Sequence, residues 1–344
     1  MITFDQSIML DKTTLEKYDI TRMHEVYDKW PQIARRAFEA DYEPVDFGNI
    51  NHIVFAGMGG SGAIGDIMAA ILSKTNVHVD VVKGYVLPKT VSPNSVVVST
   101  SVSGNTSETL TVLDSTKQFT RKIIAFSSGG KMEKYCKEKN IEYRKIPLLH
   151  SPRASFTQFL YAILKILGPM LPIKKEEIYE SIDAIEGLSK EISSANLSEK
   201  NPALDLALWV KNIPTVYYPW GLQSAAIRFK NSLAENAKIN AIIEDVIEAC
   251  HNGIVSWEKP LGTQPILLEG ADDYFKTKER WKILKRFFDE NNIEYREVLS
   301  NSGNILSKLI HMIYLLDYVS IYKAVLSGVD PSPVRPIDYV KNKL

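Results

Sequence analysis

Two segments of the chain combine glycine with hydroxyl side chains, as small anion-binding turns do. The first, GMGGSG at residues 57–62, joins a short apolar run to a stretch with the apolar spacing of a helix. It satisfies the GxGxxG pattern, and Asp80 follows eighteen residues after Gly62, so a dinucleotide-binding turn is one interpretation. Asp80, however, stands inside the run VHVDVV and not at its end, where an acidic residue would contact the ribose. The candidate phosphate contacts in this turn are Gly59, Gly60 and Ser61.

The second segment, SVSGNT at residues 101–106, follows a β-branched run and precedes another helical stretch. Hydroxyls and backbone N–H groups at a helix start form an anion site, because those N–H groups are unpaired and the helix dipole is positive there. Asn105 and Glu108 have capping-box spacing, so a plain helix cap also explains the motif. Two such turns after successive parallel strands converge on one crevice, where neutral hydroxyl donors favour a small monophosphate over a dinucleotide. The candidate contacts are Ser101, Ser103 and Thr106.

The elements that position these turns alternate between strands and helices. β-Branched runs separated by amphipathic segments predict βαβ units and a parallel sheet. IPTVYYPWGLQSAAIRFKNSL repeats the strand, glycine turn and helix of HIVFAGMGGSGAIGDIMAAIL, which indicates a duplicated lobe with the ligand between the copies; only the first copy has the Ser/Thr-rich turns. The prediction is an α/β fold with two doubly wound lobes, each a mainly parallel sheet flanked by helices. We divide the chain into a helical lead-in (1–45), a first lobe (46–172), a helical connector (173–202), a second lobe (203–325) and a C-terminal tail (326–344).

The composition argues against several classes of protein. Lys plus Arg and Asp plus Glu each number 41, a balance that disfavours nucleic-acid binding. Cys136 and Cys250 lack CxxC spacing, which disfavours a zinc or disulfide scaffold and fits a reducing compartment. Acidic residues precede any basic stretch at the N-terminus, unlike in a secretory signal. The most apolar helix candidate, near 304–327, contains charged residues such as Asp317 and Lys323; we expect a buried amphipathic helix, no membrane span and a cytoplasmic protein.

The two turns together carry a resemblance to a known family. GMGGSG followed about forty residues later by SxSGNTxET resembles the sugar isomerase (SIS) domain. More closely, the chain is similar to the archaeal-type bifunctional phosphoglucose/phosphomannose isomerases over essentially all residues after about 20. The resemblance implies two SIS-type lobes and an enzyme of carbohydrate metabolism, in glycolysis or gluconeogenesis, that interconverts glucose 6-phosphate and mannose 6-phosphate with fructose 6-phosphate through a cis-enediol. It implies no metal and no cofactor, and we find no HExxH motif or histidine cluster in the sequence.

The resemblance also implies roles for single residues. Glu235, in ENAK, matches the family's proton-shuttling glutamate, and a half-buried carboxylate suits general base work; a solvated helix-end glutamate is the alternative. His251, sixteen residues later in CHNGI, matches the histidine that opens the sugar ring by proton transfer at O5, and a structural hydrogen-bonding role is the alternative. Arg153, in SPR, is predicted to start a helix and matches the arginine that stabilises the enediolate; a surface arginine is the alternative.

Lys341 matches a catalytic lysine of the family that follows the stretch GVDPSPVRPI. Ile337, Lys341 and Leu344 share one helical face, so docking of the tail through that face would carry the ammonium group inward. Val334 stands seven residues before Lys341, where some relatives have a threonine that contacts the sugar. This departure weakens the expectation of phosphomannose activity more than that of phosphoglucose activity.

The expected ligands are sugar 6-phosphates, with no nucleic acid or membrane partner. The resemblance implies a homodimer with active sites at the interface, in which the neighbouring subunit supplies His251. Three alternatives remain: a non-catalytic phosphosugar-binding regulator, an amidotransferring synthase and an NAD-dependent oxidoreductase. The first typically adds a helix-turn-helix segment, and the second needs a cysteine after Met1, where this chain has Ile2.

Overall fold

The computed structural model describes residues 10–48, 50–259 and 262–343. These residues divide into two compact units: the first lobe comprises those within Lys29–Ile182, and the second lobe comprises those up to Asp28 and from Asp183 onward. The segment predicted as one helical lead-in therefore contributes helices to both lobes. These are α1 (Lys12–Tyr18) and α2 (Met23–Asp28) in the second lobe and α3 (Trp30–Glu39) in the first lobe.

The first lobe contains a five-stranded parallel sheet in the order β2-β1-β3-β4-β5. Its strands are β1 (His52–Ala56), β2 (His78–Val82), β3 (Val96–Thr100), β4 (Ile123–Ser127) and β5 (Glu142–Lys145). Its helices are α4 (Gly59–Leu72), α5 (Ser107–Thr116), α6 (Gly130–Lys139), α7 (Phe156–Ile166) and the first part of α8 (Lys175–Ile192). Every residue of β1, β3 and β4 is buried, as expected for parallel strands covered on both faces. The strand order reverses direction between β1 and β3, where ligands bind in open α/β sheets.

The second lobe contains a four-stranded parallel sheet in the order β7-β6-β8-β9. Its strands are β6 (Ile213–Tyr218), β7 (Ile242–Asp245), β8 (Thr263–Glu269) and β9 (Arg296–Leu299). Its remaining helices are α9 (Pro202–Trp209), α10 (Gln223–Ser232), α11 (Val246–Ala249), α12 (Phe275–Glu290), α13 (Ile305–Leu326) and α14 (Arg335–Lys341). This order repeats β2-β1-β3-β4, so the predicted α/β fold with two parallel-sheet lobes is confirmed.

Helix α13 forms the centre of the second lobe and packs against α9 and α10. Length and apolarity alone would let it cross a membrane, but 89% of its most apolar window is buried inside the protein. The predicted burial of this helix is confirmed, but the helix is not amphipathic, because even Asp317 and Lys323 are buried. Burial of a charge is unfavourable unless an oppositely charged or hydrogen-bonding group inside the lobe compensates for the lost water. For Asp317 this comes from the arginine described below.

Candidate active site

The first glycine-rich turn connects β1 to α4 in the first lobe. Met58 is the N-cap of α4, so Gly59, Gly60 and Ser61 form the first helical turn. A Cβ atom at Gly57 would lie 3.0 Å from the carbonyl oxygen of Thr100, so glycine lets this turn approach the neighbouring strand closely. The Ser61 side chain is buried, and its Oγ accepts a hydrogen bond from the backbone N–H of Val102 at 3.3 Å. The first turn is therefore tied to the second.

The second turn connects β3 to α5. The Ser101 and Thr106 hydroxyls are 2.9 Å apart, and Ser103 Oγ accepts a hydrogen bond from the N–H of Asn105. Thr106 is the N-cap of α5 and makes no side-chain capping bond within the chain. The alternative of an Asn105–Glu108 capping box is wrong, because Thr106 and not Asn105 is the N-cap, and Asn105 Oδ1 accepts the N–H of Lys131. The start of α5 thus resembles an anion site more than a self-capped helix.

A third turn, at the end of β4, belongs to the same edge and was missed in the sequence. It comprises residues 127–130, and Ser127 Oγ donates a hydrogen bond to the carbonyl oxygen of Gly129. A Cβ atom at Gly104, whose φ is +70°, would lie 1.8 Å from that same oxygen. The second and third turns are therefore in backbone contact. The strand followed by Ser-Ser-Gly-Gly in KIIAFSSGG was a usable signal for it.

The three turns together lie at the carboxyl ends of three adjacent strands and flank the reversal between β1 and β3. Asp80 lies in the middle of β2, where its Oδ2 is 2.9 Å from His52 Nε2. An acidic residue engaged there does not mark the ribose position of a dinucleotide fold, which needs it at the strand end. The geometry supports a small anion over a dinucleotide.

Arg153 lies in the first lobe and is buried, with 6% of its surface exposed. The prediction that it starts a helix was wrong, because residues 152–155 form a turn and α7 begins at Phe156. Trp30 holds this turn from α3 by donating its indole N–H to the carbonyl oxygen of Ala154 at 3.0 Å. The surface alternative for Arg153 is therefore also wrong.

Glu235 lies in the second lobe, in a π-helical turn (Leu233–Ala237) that continues α10. Its side chain is half-buried, and the flanking Asn236 donates its Nδ2–H to Ser320 Oγ on α13 at 2.8 Å. Single π-helical turns are rare and occur often at functional sites, because they redirect side chains from the regular helical position. The turn ends at Lys238, which has a positive φ of 59°.

A buried ion pair anchors the helix that carries this turn. Arg228 Nε and Nη2 donate to Asp317 Oδ2 at 3.0 and 2.6 Å, and the Ser232 hydroxyl donates to Asp317 Oδ1 at 2.6 Å. Burial alone would lower the pKa of Arg228, but the adjacent Asp317 carboxylate raises it above its usual value, so the guanidinium stays charged. The position of α10 relative to α13 is thereby fixed within the lobe.

The C-terminal tail reaches the same turn. Lys238 donates to the carbonyl oxygens of Glu235 and Pro333, the latter at 2.8 Å. Ser332 Oγ is 2.5 Å from Thr21 Oγ1, and Val334 is the N-cap of α14. The chain segment that leads to Lys341 is therefore held beside Glu235.

Helix α14 itself is exposed over its whole length, including Lys341. The expected docking face is not buried in the chain, since Ile337 and Val340 are 39% and 56% exposed. Leu344, the third member of that face, lies outside the described residues.

His251 lies on an exposed turn after α11. The following loop passes close to Glu244 on β7, since a Cβ atom at Gly253 would lie 2.2 Å from its carboxylate. Burial and the neighbouring Glu248 raise the pKa of Glu244. Strand β7 was missed in the sequence because it has four residues and two of them are acidic.

The structure thus brings the predicted phosphate contacts together in the first lobe, which also contains Arg153. The second lobe holds Glu235, His251 and Lys341, the last two at its surface. A cavity of about 1160 Å³ in the second lobe is lined by residues such as Leu10, Ser198 and Leu208 and by none of the predicted site residues. It is not part of the candidate site.

The expectation that the chain has no histidine cluster was wrong. In the described ranges, His52, His78 and Asp80 place their ligand atoms within 4.8 Å of one another. His52 and His78 begin β1 and β2, and Asp80 lies two residues after His78, away from the three turns at the carboxyl ends of the strands. The cluster is therefore separate from the candidate active site.

Comparison with known proteins identifies the family of the chain. Residues 47–140 match the SIS domain, and residues 199–344 match the bacterial phospho-glucose isomerase C-terminal SIS domain. A hypothetical protein of Thermus thermophilus has the same fold, with a TM-score of 0.70, 14% identity, and coverage of 96% of this chain and 89% of that one.

Two bifunctional phosphoglucose/phosphomannose isomerases are similar over most of their length. That of Caldicellulosiruptor bescii is 33% identical over 86% of this chain and 90% of its own. That of Aquifex aeolicus is 30% identical over 85% of this chain and 90% of its own. The arrangement of turns, π-helical turn and tail described above is therefore found in a chain that belongs to the bifunctional phosphoglucose/phosphomannose isomerase family.

Proposed function

We propose that this chain interconverts glucose 6-phosphate with fructose 6-phosphate, and mannose 6-phosphate with the same ketose. The observation that carries the substrate class is the set of three linked turns at one edge of the first sheet. They present hydroxyls and helix-start N–H groups without a basic side chain among the predicted contacts, which suits one phosphate group. Family membership supports the reaction type.

The reaction needs a base that moves a proton between C2 and C1 of the open sugar. We assign this to the Glu235 carboxylate, which takes the proton from C2 of the aldose and returns it to C1 of the enediolate. Arg153 stabilises the negative charge on the enediolate oxygens, and His251 transfers a proton at O5 when the ring opens. Lys341 supplies a cation near the reacting sugar.

The turn that holds Glu235 supports its assignment. The half-buried carboxylate is carried by a π-helical turn whose neighbours are fixed on α13 through Asn236 and the Arg228–Asp317 pair. A base positioned in this way loses little orientational freedom when substrate binds, which is the main contribution a rigid element makes to catalysis.

We also propose that a homodimer completes the site. His251 and the apolar residues of α14 are exposed in the single chain, as expected for groups that a second copy covers.

Both cysteines are free thiols. Burial raises the pKa of Cys136 to about 11 and also raises that of Cys250, so neither is primed for oxidation. The free state of Cys136 and Cys250 is the observation that supports a reducing, cytoplasmic compartment.

The test is a coupled assay with glucose 6-phosphate, mannose 6-phosphate and fructose 6-phosphate, in buffer containing EDTA and no added cofactor. We expect turnover of both aldoses and no change with EDTA. Glu235→Gln should lower kcat by about 10²- to 10⁴-fold while fructose 6-phosphate still binds. Glu290→Gln, on the exposed end of α12, is the matched control and should leave kcat unchanged.

Each alternative has its own outcome in this design. Binding of the sugar phosphates without any turnover by the wild-type chain would identify a phosphosugar-binding regulator. Turnover that depends on NAD would identify an oxidoreductase. Wild-type kcat in Glu235→Gln would show that another group is the base.

A further inference from the structure

Three potential metal ligands meet at the amino edge of the first sheet. His52 is the first residue of β1, His78 is the first residue of β2, and the parallel register places them opposite each other. Asp80 stands two residues after His78 and so projects from the same face of β2. Its Oδ2 atom lies 2.9 Å from His52 Nε2 and 3.4 Å from His78 Nε2.

These separations fit the ligand set of a tetrahedral ion. Zinc binds imidazole nitrogen and carboxylate oxygen at about 2.0–2.2 Å, which places neighbouring ligand atoms about 3.3 Å apart. The three ligand atoms here all lie within 4.8 Å of one another. The side chain of His78 is 62% exposed, so it has room to make the small rotation that closes the set.

The surrounding groups orient the buried histidine. His52 Nδ1 lies 2.8 Å from Ser95 Oγ, and Ser95 Oγ also accepts the backbone N–H of Ser92 at 2.9 Å. Thr90 donates its hydroxyl to Asp80 Oδ2 at 3.4 Å. A hydrogen bond to the second ring nitrogen is the usual support of a ligating histidine, because it fixes the ring and its tautomer.

We propose that His52 Nε2, His78 Nε2 and Asp80 Oδ2 bind a divalent transition-metal ion, with Zn²⁺ as the ion of first choice. Two imidazoles and one carboxylate suit this class of ion, whereas Mg²⁺ and Ca²⁺ prefer oxygen ligands. The exposed side of His78 leaves the fourth position to water. The ring proton of His52 resides on Nδ1 in the bound form and is donated to Ser95 Oγ, whose own hydroxyl turns to Ser92 Oγ, 3.4 Å away.

The ion would clamp the edge strand β2 to β1. Within the part of the chain that the structure describes, strand β2 pairs only with β1, so its amino end depends on this neighbour. A ligand that binds the folded lobe and not the unfolded chain raises its stability in proportion to the logarithm of its concentration. The inference does not rest on the proposed function, because the cluster and the three turns lie at opposite ends of β1.

The experiment uses the untagged full chain, stripped with EDTA and dialysed, and titrated with ZnCl₂ by calorimetry and by thermal unfolding. We expect one ion per chain and a Tm that rises by several degrees at saturating Zn²⁺, with no such rise for MgCl₂. His78→Ala removes an exposed ligand, so the fold is preserved, and it should weaken Zn²⁺ binding at least tenfold. His251→Ala, an exposed histidine outside the cluster, should bind Zn²⁺ as the wild type does.

Asp80→Asn provides a second test that keeps the shape of the side chain and removes its charge. It should weaken binding by a similar factor while the Tm without metal stays near that of the wild type. The proposal is overturned if the wild type shows no saturable binding below millimolar Zn²⁺, or if His78→Ala and Asp80→Asn both bind as tightly as the wild type.

Discussion

In both lobes the first strand of the sheet leads through a turn into a helix: β1 into α4 and β6 into α10. The candidate site residues lie at the start of α4 but beyond the end of α10. In the first lobe, α4 begins with glycines and Ser61, and its start contacts the second turn through the Ser61–Val102 hydrogen bond. In the second lobe, the corresponding turn contains Trp220, which is 74% exposed, and α10 instead ends in the π-helical turn with Glu235. The same frame therefore presents N–H groups and hydroxyls in one lobe and a carboxylate in the other.

The difference follows from which contacts hold each helix. Helix α4 can lie close to its sheet because a Cβ at Gly65 would be only 3.0 Å from Phe55 and Val81 side-chain atoms. Helix α10 is held by the buried Arg228–Asp317 pair on α13. Glycine lets the start of α4 approach its sheet closely, while the ion pair fixes the helix end that carries Glu235.

The largest expected effect is at the ion pair. Asp317→Ala leaves the Arg228 guanidinium buried without its carboxylate, and we expect a loss of about 3–5 kcal/mol in the free energy of unfolding, measured with urea. The double variant Arg228→Met/Asp317→Leu should regain much of that stability. If it regains stability and also keeps wild-type kcat, the pair does not position the Glu235 turn.

A smaller loss is expected in the first lobe at Gly104. Gly104→Ala forces a Cβ toward the backbone oxygen of Gly129 at a positive φ, which should lower the free energy of unfolding by about 2–4 kcal/mol. Gly221→Ala is the matched control in the second lobe, because its Cβ would lie 3.7 Å from the nearest atom, on Ile305. We expect a change below about 1 kcal/mol there. Equal losses at both positions would contradict the special role of glycine in the first lobe.

Removal of the hydrogen bond between the first two turns should have a moderate effect on stability and on phosphate binding. Ser61→Ala leaves the Val102 N–H without its 3.3 Å acceptor, which should cost about 1–2 kcal/mol of stability. Calorimetry with inorganic phosphate should show weaker binding in the same variant. Ser224→Ala, a buried serine on α10 in the second lobe, is the control and should leave phosphate binding unchanged.

The smallest expected effect concerns pH in the second lobe. Burial raises the pKa of Glu244 in the folded chain, so the folded state holds this proton at a higher pH than the unfolded state. The free energy of unfolding of the wild type therefore falls as pH rises from the unfolded pKa through the folded pKa, and levels off above it. Glu244→Gln lacks this fall, so its advantage should grow with pH to less than about 0.5 kcal/mol near neutrality, because the side chain is only partly buried and solvent screens its charge. An advantage that shrinks with rising pH would show that the sign is wrong.

The sequence predicted the strands, the two glycine-rich turns and the duplication, because these depend on local apolar spacing and on glycine at chain reversals. It missed β7, where two acidic residues obscure a four-residue strand, and it placed the start of α7 at Arg153, three residues before Phe156. The histidine cluster could not be predicted from spacing, since His52 and His78 meet only through the register of parallel strands. The roles of Glu235, His251, Arg153 and Lys341 remain predictions from the family resemblance.

By itself, the sequence determined the α/β class, the two glycine-rich turns of the first lobe and the family, since each depends on contiguous residues. Only the tertiary structure decided that Asp80 contacts His52 across two strands and that Arg153 is buried. It also decided that α13 is enclosed and places Asp317 beside Arg228. Those facts depend on residues far apart in the chain. Burial of a charge, pairing across strands and the packing of one helix on another are set by the whole fold and leave no local pattern.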